Sequence, residues 1–216
     1  MNDIEQDQSS RRSGPKIGAV GAGTLVSPGS LLANSPSDIT SLTALELSSA
    51  IRSRHVSCVE VMSTFLSRID KVNPVYNAIV SRPDDSSLMA QAKTCDLELS
   101  AGNYRGWMHG MPHAAKDLAD VEGMITTSGS PIFRDNVATA DALHIARIRQ
   151  AGAIFVGKTN VPEFGMGSQS YNTVFGATLN PYDAQSTAGG SSGGAAAALR
   201  LNLLPVADGS ALMGSL

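Results

Sequence analysis

Residues 187–216 read TAGGSSGGAAAALRLNLLPVADGSALMGSL, and this stretch decides how the rest of the chain is understood. Two glycine-flanked serine loops, around Ser191 and Ser215, enclose an Ala-rich segment and an apolar run at 203–207, whose pattern predicts a buried strand. Glycine lacks a Cβ, so its backbone can take positive φ and bring N–H groups close to a bound carbonyl. That is the geometry required of donors that stabilise an oxyanion. A serine nucleophile and its donors can therefore share one loop.

A serine hydroxyl needs a base, usually His and sometimes Lys. Residues 110–117 read GMPHAAKD and present Lys116 behind the small apolar residues Ala114 and Ala115. To accept a proton Lys116 must be neutral; burial favours that form, and an inward-turned carboxylate from neighbouring Asp117 would oppose it. With these residues in view the chain resembles the amidase signature family of serine hydrolases. The family motif GxPxxxKD matches at Gly110, Pro112, Lys116 and Asp117, and GGSSGG matches throughout 189–194. The third motif matches at Gly209, Ser210, Gly214, Ser215 and Leu216. It departs at Ala211, where the family has Asp, and the chain stops at Leu216, before the family's Arg.

The resemblance covers residues from about 40 to 216 and implies an α/β amidase-signature fold, a mixed β-sheet core surrounded by helices, truncated after the nucleophile loop. It implies a Ser-Ser-Lys triad: Ser215 as nucleophile, Ser191 as a cis-peptide serine relaying protons, and Lys116 as base. The backbone N–H groups of Leu212, Met213, Gly214 and Ser215 match the oxyanion hole, and Gly189, Gly190, Ser192, Gly193 and Gly194 shape the loop. The activity implied is hydrolysis of a carboxylic amide to acid plus ammonia or amine through an acyl-enzyme. No metal and no cofactor is required. Family members take fatty, aryl and peptide amides, malonamide and aminoacyl-tRNA, so the resemblance leaves the substrate open.

The departures bear on activity. Ala211 cannot accept the hydrogen bonds that an Asp would use to hold the nucleophile loop. The α-carboxylate of Leu216 would lie near the developing oxyanion, where like charge repels. The expectation is a chain with little activity, and a non-catalytic remnant that binds an amide or a partner is the alternative.

Two further readings compete. Residues 152–159, GAIFVGKT, fit the P-loop pattern GxxxxGK[ST]. A P-loop needs a flexible loop between its glycines and a helix after Thr, whereas AIFV reads as a strand and Pro162 interrupts a following helix. A Ser-His-Asp hydrolase would use His113 or His144, but GxSxG is missing and both histidines precede the serines. His113 is expected to line a strand end and His144 a helix face. Glu163 and Asp117 are read as structural.

Composition sets the outer bounds. The chain has 216 residues, 42% apolar, with net charge −3. That suffices for one core, and the lack of a basic stripe argues against nucleic acid. A small-molecule amide is the expected partner; a homo-oligomer is possible. Cys58 and Cys95 fall in predicted helices without metal-ligand spacing. No run approaches the roughly twenty apolar residues of a membrane span.

Residues 1–38 carry Arg11-Arg12 ahead of a Gly-rich, mildly apolar stretch. They resemble a bacterial twin-arginine export signal, which implies a periplasmic enzyme; a disordered polar tail with a cytoplasmic enzyme is the other reading. The resemblance implies that residues 39–216 are the N-terminal part of an amidase-signature domain. Helices are predicted over 42–52, 56–69 (Ser57 and Glu60 as a capping box, ended by Asn73-Pro74), 86–101 and 142–150, with a short buried strand at 153–156.

Overall fold

The computed structural model describes residues 38–212 and 214–216; residues 1–37, where the export signal or polar tail is expected, and Met213, expected among the oxyanion donors, lie outside the described residues. Among the described residues, five α-helices surround a central three-stranded sheet, with short 3-10 turns and two small two-stranded ribbons besides. The helices are α1 (Ala44–Arg52), α2 (Cys58–Tyr76), α3 (Asp85–Ser100), α4 (Leu143–Gln150) and α5 (Gly193–Arg200). The sheet contains β1 (Ile79–Val80), β2 (Pro112–Lys116) and β3 (Ile154–Thr159), in the order β1-β3-β2. β3 pairs antiparallel with β1 and parallel with β2, so the sheet is mixed as expected. Among the described residues no helix is long and apolar enough to cross a membrane.

Local sequence accounts for the helix starts. Thr43 with Glu46 and Ser57 with Glu60 form two capping boxes, which satisfy orphan N–H groups at the starts of α1 and α2. In the second, Glu60 N donates to Ser57 Oγ at 3.0 Å and Ser57 N donates to Glu60 Oε2 at 2.8 Å. The same helix end also takes the Asp96 carboxylate from α3, which accepts from Cys58 N at 2.7 Å and Val59 N at 3.1 Å. An anion there complements the helix dipole and ties α3 to α2. Ser57→Ala is expected to cost about 1 kcal/mol, read as a fall of roughly 2–4 °C in Tm. An unchanged Tm would show that Asp96 alone suffices as the cap.

The buried face of α2 comprises Val61, Met62, Phe65, Leu66 and Ile69, with Cys58 at its start. It meets Leu88, Ala92, Cys95 and Leu99 of α3 in the main core, and both cysteines are free thiols. Two sequence expectations need correction. The second helix runs through Pro74 to Tyr76, because a proline in the last turn loses one ladder bond and crowds one carbonyl where little helix remains to be kinked, and the exit is held otherwise. Asn77 closes the helix at φ 51°, and Asn73 Oδ1 accepts from Ala78 N and Ile79 N at 2.9 and 2.8 Å. The predicted strand at 203–207 does not form. Leu203 and Leu204 are buried, but the chain leaves α5 by a turn with Asn202 at φ 54°. Pro205 has no N–H for a ladder, and the edge amide of Lys116 is already bonded to the side chain of Asp208.

The glycine motif acts first through packing. A Cβ on Gly194 would stand 2.6 Å from Asn160 O and 2.9 Å from Ala78 O, so only glycine lets the start of α5 rest on the end of β3. Gly194 N donates to Asn160 O at 3.2 Å, which fixes Ser191 and Ser192 over the C-terminal end of the sheet.

Candidate active site

β2 is buried along its whole length, as a strand covered on both faces must be, and it ends on Lys116. The Lys116 side chain is 1% exposed. Its Nζ donates to Ser191 Oγ at 2.8 Å, Ser192 Oγ at 2.9 Å and Ser210 O at 2.9 Å, which accounts for all three N–H bonds of an ammonium. Burial pulls its pKa below the ordinary lysine value, and the negative charge of Asp208 works the other way. The Gly190–Ser191 peptide bond is cis.

Ser191 and Ser215 line one cavity of about 730 Å³, together with Ser210 and the apolar side chains of Leu118, Phe164 and Met166. Among the described residues its lining carries no charged side chain. Leu212 and Gly214 also border it, and Gly214 has φ 90°. The Ser215 hydroxyl donates to Leu212 O at 3.1 Å, while Ser192 N donates to Ser215 O at 3.2 Å. The fold thus brings Lys116, Ser191 and Ser192 into direct contact and places Ser215 on the same cavity wall, bonded within its own loop.

Ser192, assigned from sequence to loop shape, bonds Lys116 as closely as Ser191 does and also donates to Ser210 O at 3.3 Å. Asp117 does not turn toward Lys116. Its buried carboxylate accepts from Thr127 N at 3.1 Å, Thr127 Oγ1 at 2.5 Å and Gly129 N at 3.3 Å, and lies 3.9 Å from Lys158 Nζ. Burial pushes Asp117 up and Lys158 down, each opposed by the charge of the other. The three donors converging on Asp117 require acceptor oxygens, which its carboxylate form supplies best.

This arrangement decides the fate of the P-loop pattern. Gly157, Lys158 and Thr159 lie inside β3, and Lys158 Nζ donates to Ala119 O and, at 2.9 Å, to Thr126 Oγ1. The residues that would cradle a phosphate are a buried strand and a buried brace. His113 lies in β2 as expected, with Nε2 3.1 Å from Asp208 Oδ1, and His144 sits near the start of α4. Glu163 is a structural acceptor for Ser130 Oγ at 2.7 Å.

Cys95, Glu98 and His109 come together on and beside α3. His109 Nε2 bonds Cys95 O at 2.9 Å, Nδ1 accepts from Arg105 N at 3.2 Å, and Glu98 is paired with Arg105. The imidazole therefore has no lone pair to offer an ion.

Asp208 is the site residue that sequence reasoning missed. Lys116 N donates to its two oxygens at 3.1 and 3.2 Å, across 92 positions of sequence. No local pattern marks it, since its partners lie on other elements.

Comparison with known proteins agrees with the geometry. The Amidase family model matches residues 60–216, and the chain belongs to the amidase family, the amidase-signature enzymes. It is 43% identical over 170 residues to the glutamyl-tRNA(Gln) amidotransferase A-subunit of Azoarcus sp. (strain BH72), a match that covers 79% of this chain and 34% of that protein. Among solved structures it is similar to a fatty acid amide hydrolase, with TM-score 0.77 and 28% identity over 82% of this chain and 31% of that one. A bacterial aryl acylamidase matches with TM-score 0.72 and 29% identity over 77% of this chain and 34% of that one. The chain spans about a third of the length of the curated relatives it matches.

Proposed function

We propose that this site belongs to an amide hydrolase in which Ser215 is the nucleophile, Ser191 the proton relay and Lys116 the base. The observation that carries the reading is the 2.8 Å contact between buried Lys116 Nζ and Ser191 Oγ at the wall of the cavity that Ser215 shares. Lys116 in its neutral form accepts the Ser191 proton while Ser191 takes the proton of Ser215. The Ser215 oxygen then attacks the amide carbon, and the oxyanion is met by backbone N–H groups of 212–215. Collapse breaks the C–N bond, Ser191 returns a proton to the leaving nitrogen, and water releases the acid from Ser215. Ala211 leaves the nucleophile loop without an acceptor, and the Ser215 bond to Leu212 O is the arrangement that turnover must exchange for a bond to Ser191.

A second reading is favoured by the higher identity to the amidotransferase than to the hydrolase structures: the amide is cleaved in an amidotransferase reaction, with this chain part of one subunit. Aryl, aliphatic and peptide amides assayed beside glutamine separate the two.

The same assay, run against pH, tests the base. Only the neutral amine accepts a proton, and burial lowers the Lys116 pKa, so kcat/KM rises with pH and levels off below the ordinary lysine value of 10.5. A rate flat across this range, or still climbing above 10.5, sinks Lys116 as the base.

A further inference from the structure

Asp208 grips the lysine strand from the segment that leads into the serine loop. Its side chain is 12% exposed and accepts from Lys116 N and from His113 Nε2, with His144 Nε2 at 3.9 Å. Two residues later, Ser210 O accepts from Lys116 Nζ. Residues 208–210 thus hold Lys116 at both ends, backbone amide and amine. At the outer edge of β2, the carboxylate takes the place that the carbonyl of a neighbouring strand would fill. We propose that Asp208 is a positioning residue for amide cleavage, fixing the backbone from which Lys116 reaches Ser191 and Ser192.

The proposal rests on the reading of Lys116 as base. The groups facing the carboxylate are Lys116 and His113 from β2 and His144 from α4, and its charge also reaches the Lys158 amine of β3. Burial disfavours the Asp208 charge, but the hydrogen bond and charge of His113, the Lys116 N–H and the charge of His144 outweigh it and hold the carboxyl below its usual range. Asp208 is therefore ionised wherever Lys116 works, and its charge opposes the effect of burial on the amine.

The test follows Lys116 itself in the full chain labelled with 13Cε-lysine, its signal assigned by absence from Lys116→Met. Asp208→Asn is expected to move the Lys116 titration midpoint to lower pH, and Asp208→Glu to restore it toward the parent. Where turnover is measurable, Asp208→Asn lowers kcat about tenfold or more with KM within about twofold, as misplacement of a catalytic group does. An unchanged midpoint in a folded Asp208→Asn chain overturns the proposal. The unmodified chain provides a second measurement that needs no variant: the Lys116 amide must exchange with solvent slowly, as a bonded N–H, and exchange at the rate of an open strand edge overturns the proposal equally. Neither the titration nor the exchange requires turnover, so failure of the hydrolase reading and failure of the Asp208 role are separately visible.

Discussion

Lys116→Met should cut amide cleavage about a thousandfold or more, within the range lost with a general base. Methionine fills much of the same buried volume, so β2 stays in place and the loss falls on the amine. Without it Ser191, Ser192 and Ser210 O lose their shared partner, and no described group within bonding distance takes the proton of Ser191. Lys116→Arg should be as inactive, because a guanidinium stays charged and accepts no proton. The pair separates the need for positive charge from the need for proton transfer. Both are compared with the parent and with a chain carrying Ala211→Asp, in which the loop regains an acceptor. Cleavage within tenfold of the parent by a cooperatively folded Lys116→Met chain would overturn the base assignment.

Asp117→Ala should lower stability by about 3–5 kcal/mol, as expected when one member of a buried pair is removed and the other is left uncompensated. The substitution strands Lys158 inside the fold and takes an acceptor from Thr127 and Gly129. In a domain of this size the effect reads as a fall of about 10 °C or more in Tm. Asp117→Asn keeps one acceptor oxygen and should lose less. A fall below about 1 kcal/mol for the alanine variant would mean that the loop at 126–130 holds itself without the carboxylate.

Much of the fold was legible because its causes are local. The capping box at Ser57 marks a helix start by side chains three residues apart, a pattern that Thr43 and Glu46 repeat unread at α1, and the buried positions of α3 recur at helical spacing. The glycines of 189–194 announce a tight backbone, and Gly194 shows what they serve, contact with Asn160 and Ala78. Where reading failed, distant residues decided. Pro74 is tolerated because Asn73 bonds the chain beyond the helix end. The apolar run at 203–207 buries two leucines without forming a strand, because hydrophobicity requires burial but not a ladder.

The sequence alone determined the family, the lysine and the two serine loops, since each is written in contiguous residues whose backbone needs are local. Only the tertiary structure decided which carboxylate governs that lysine. Successive side chains of an extended chain point to opposite faces, so Asp117, adjacent to Lys116, faces Lys158 instead. Asp208 reaches Lys116 because the turn after α5 carries it back to the edge of β2. Adjacency in sequence separated the first pair, and folding joined the second.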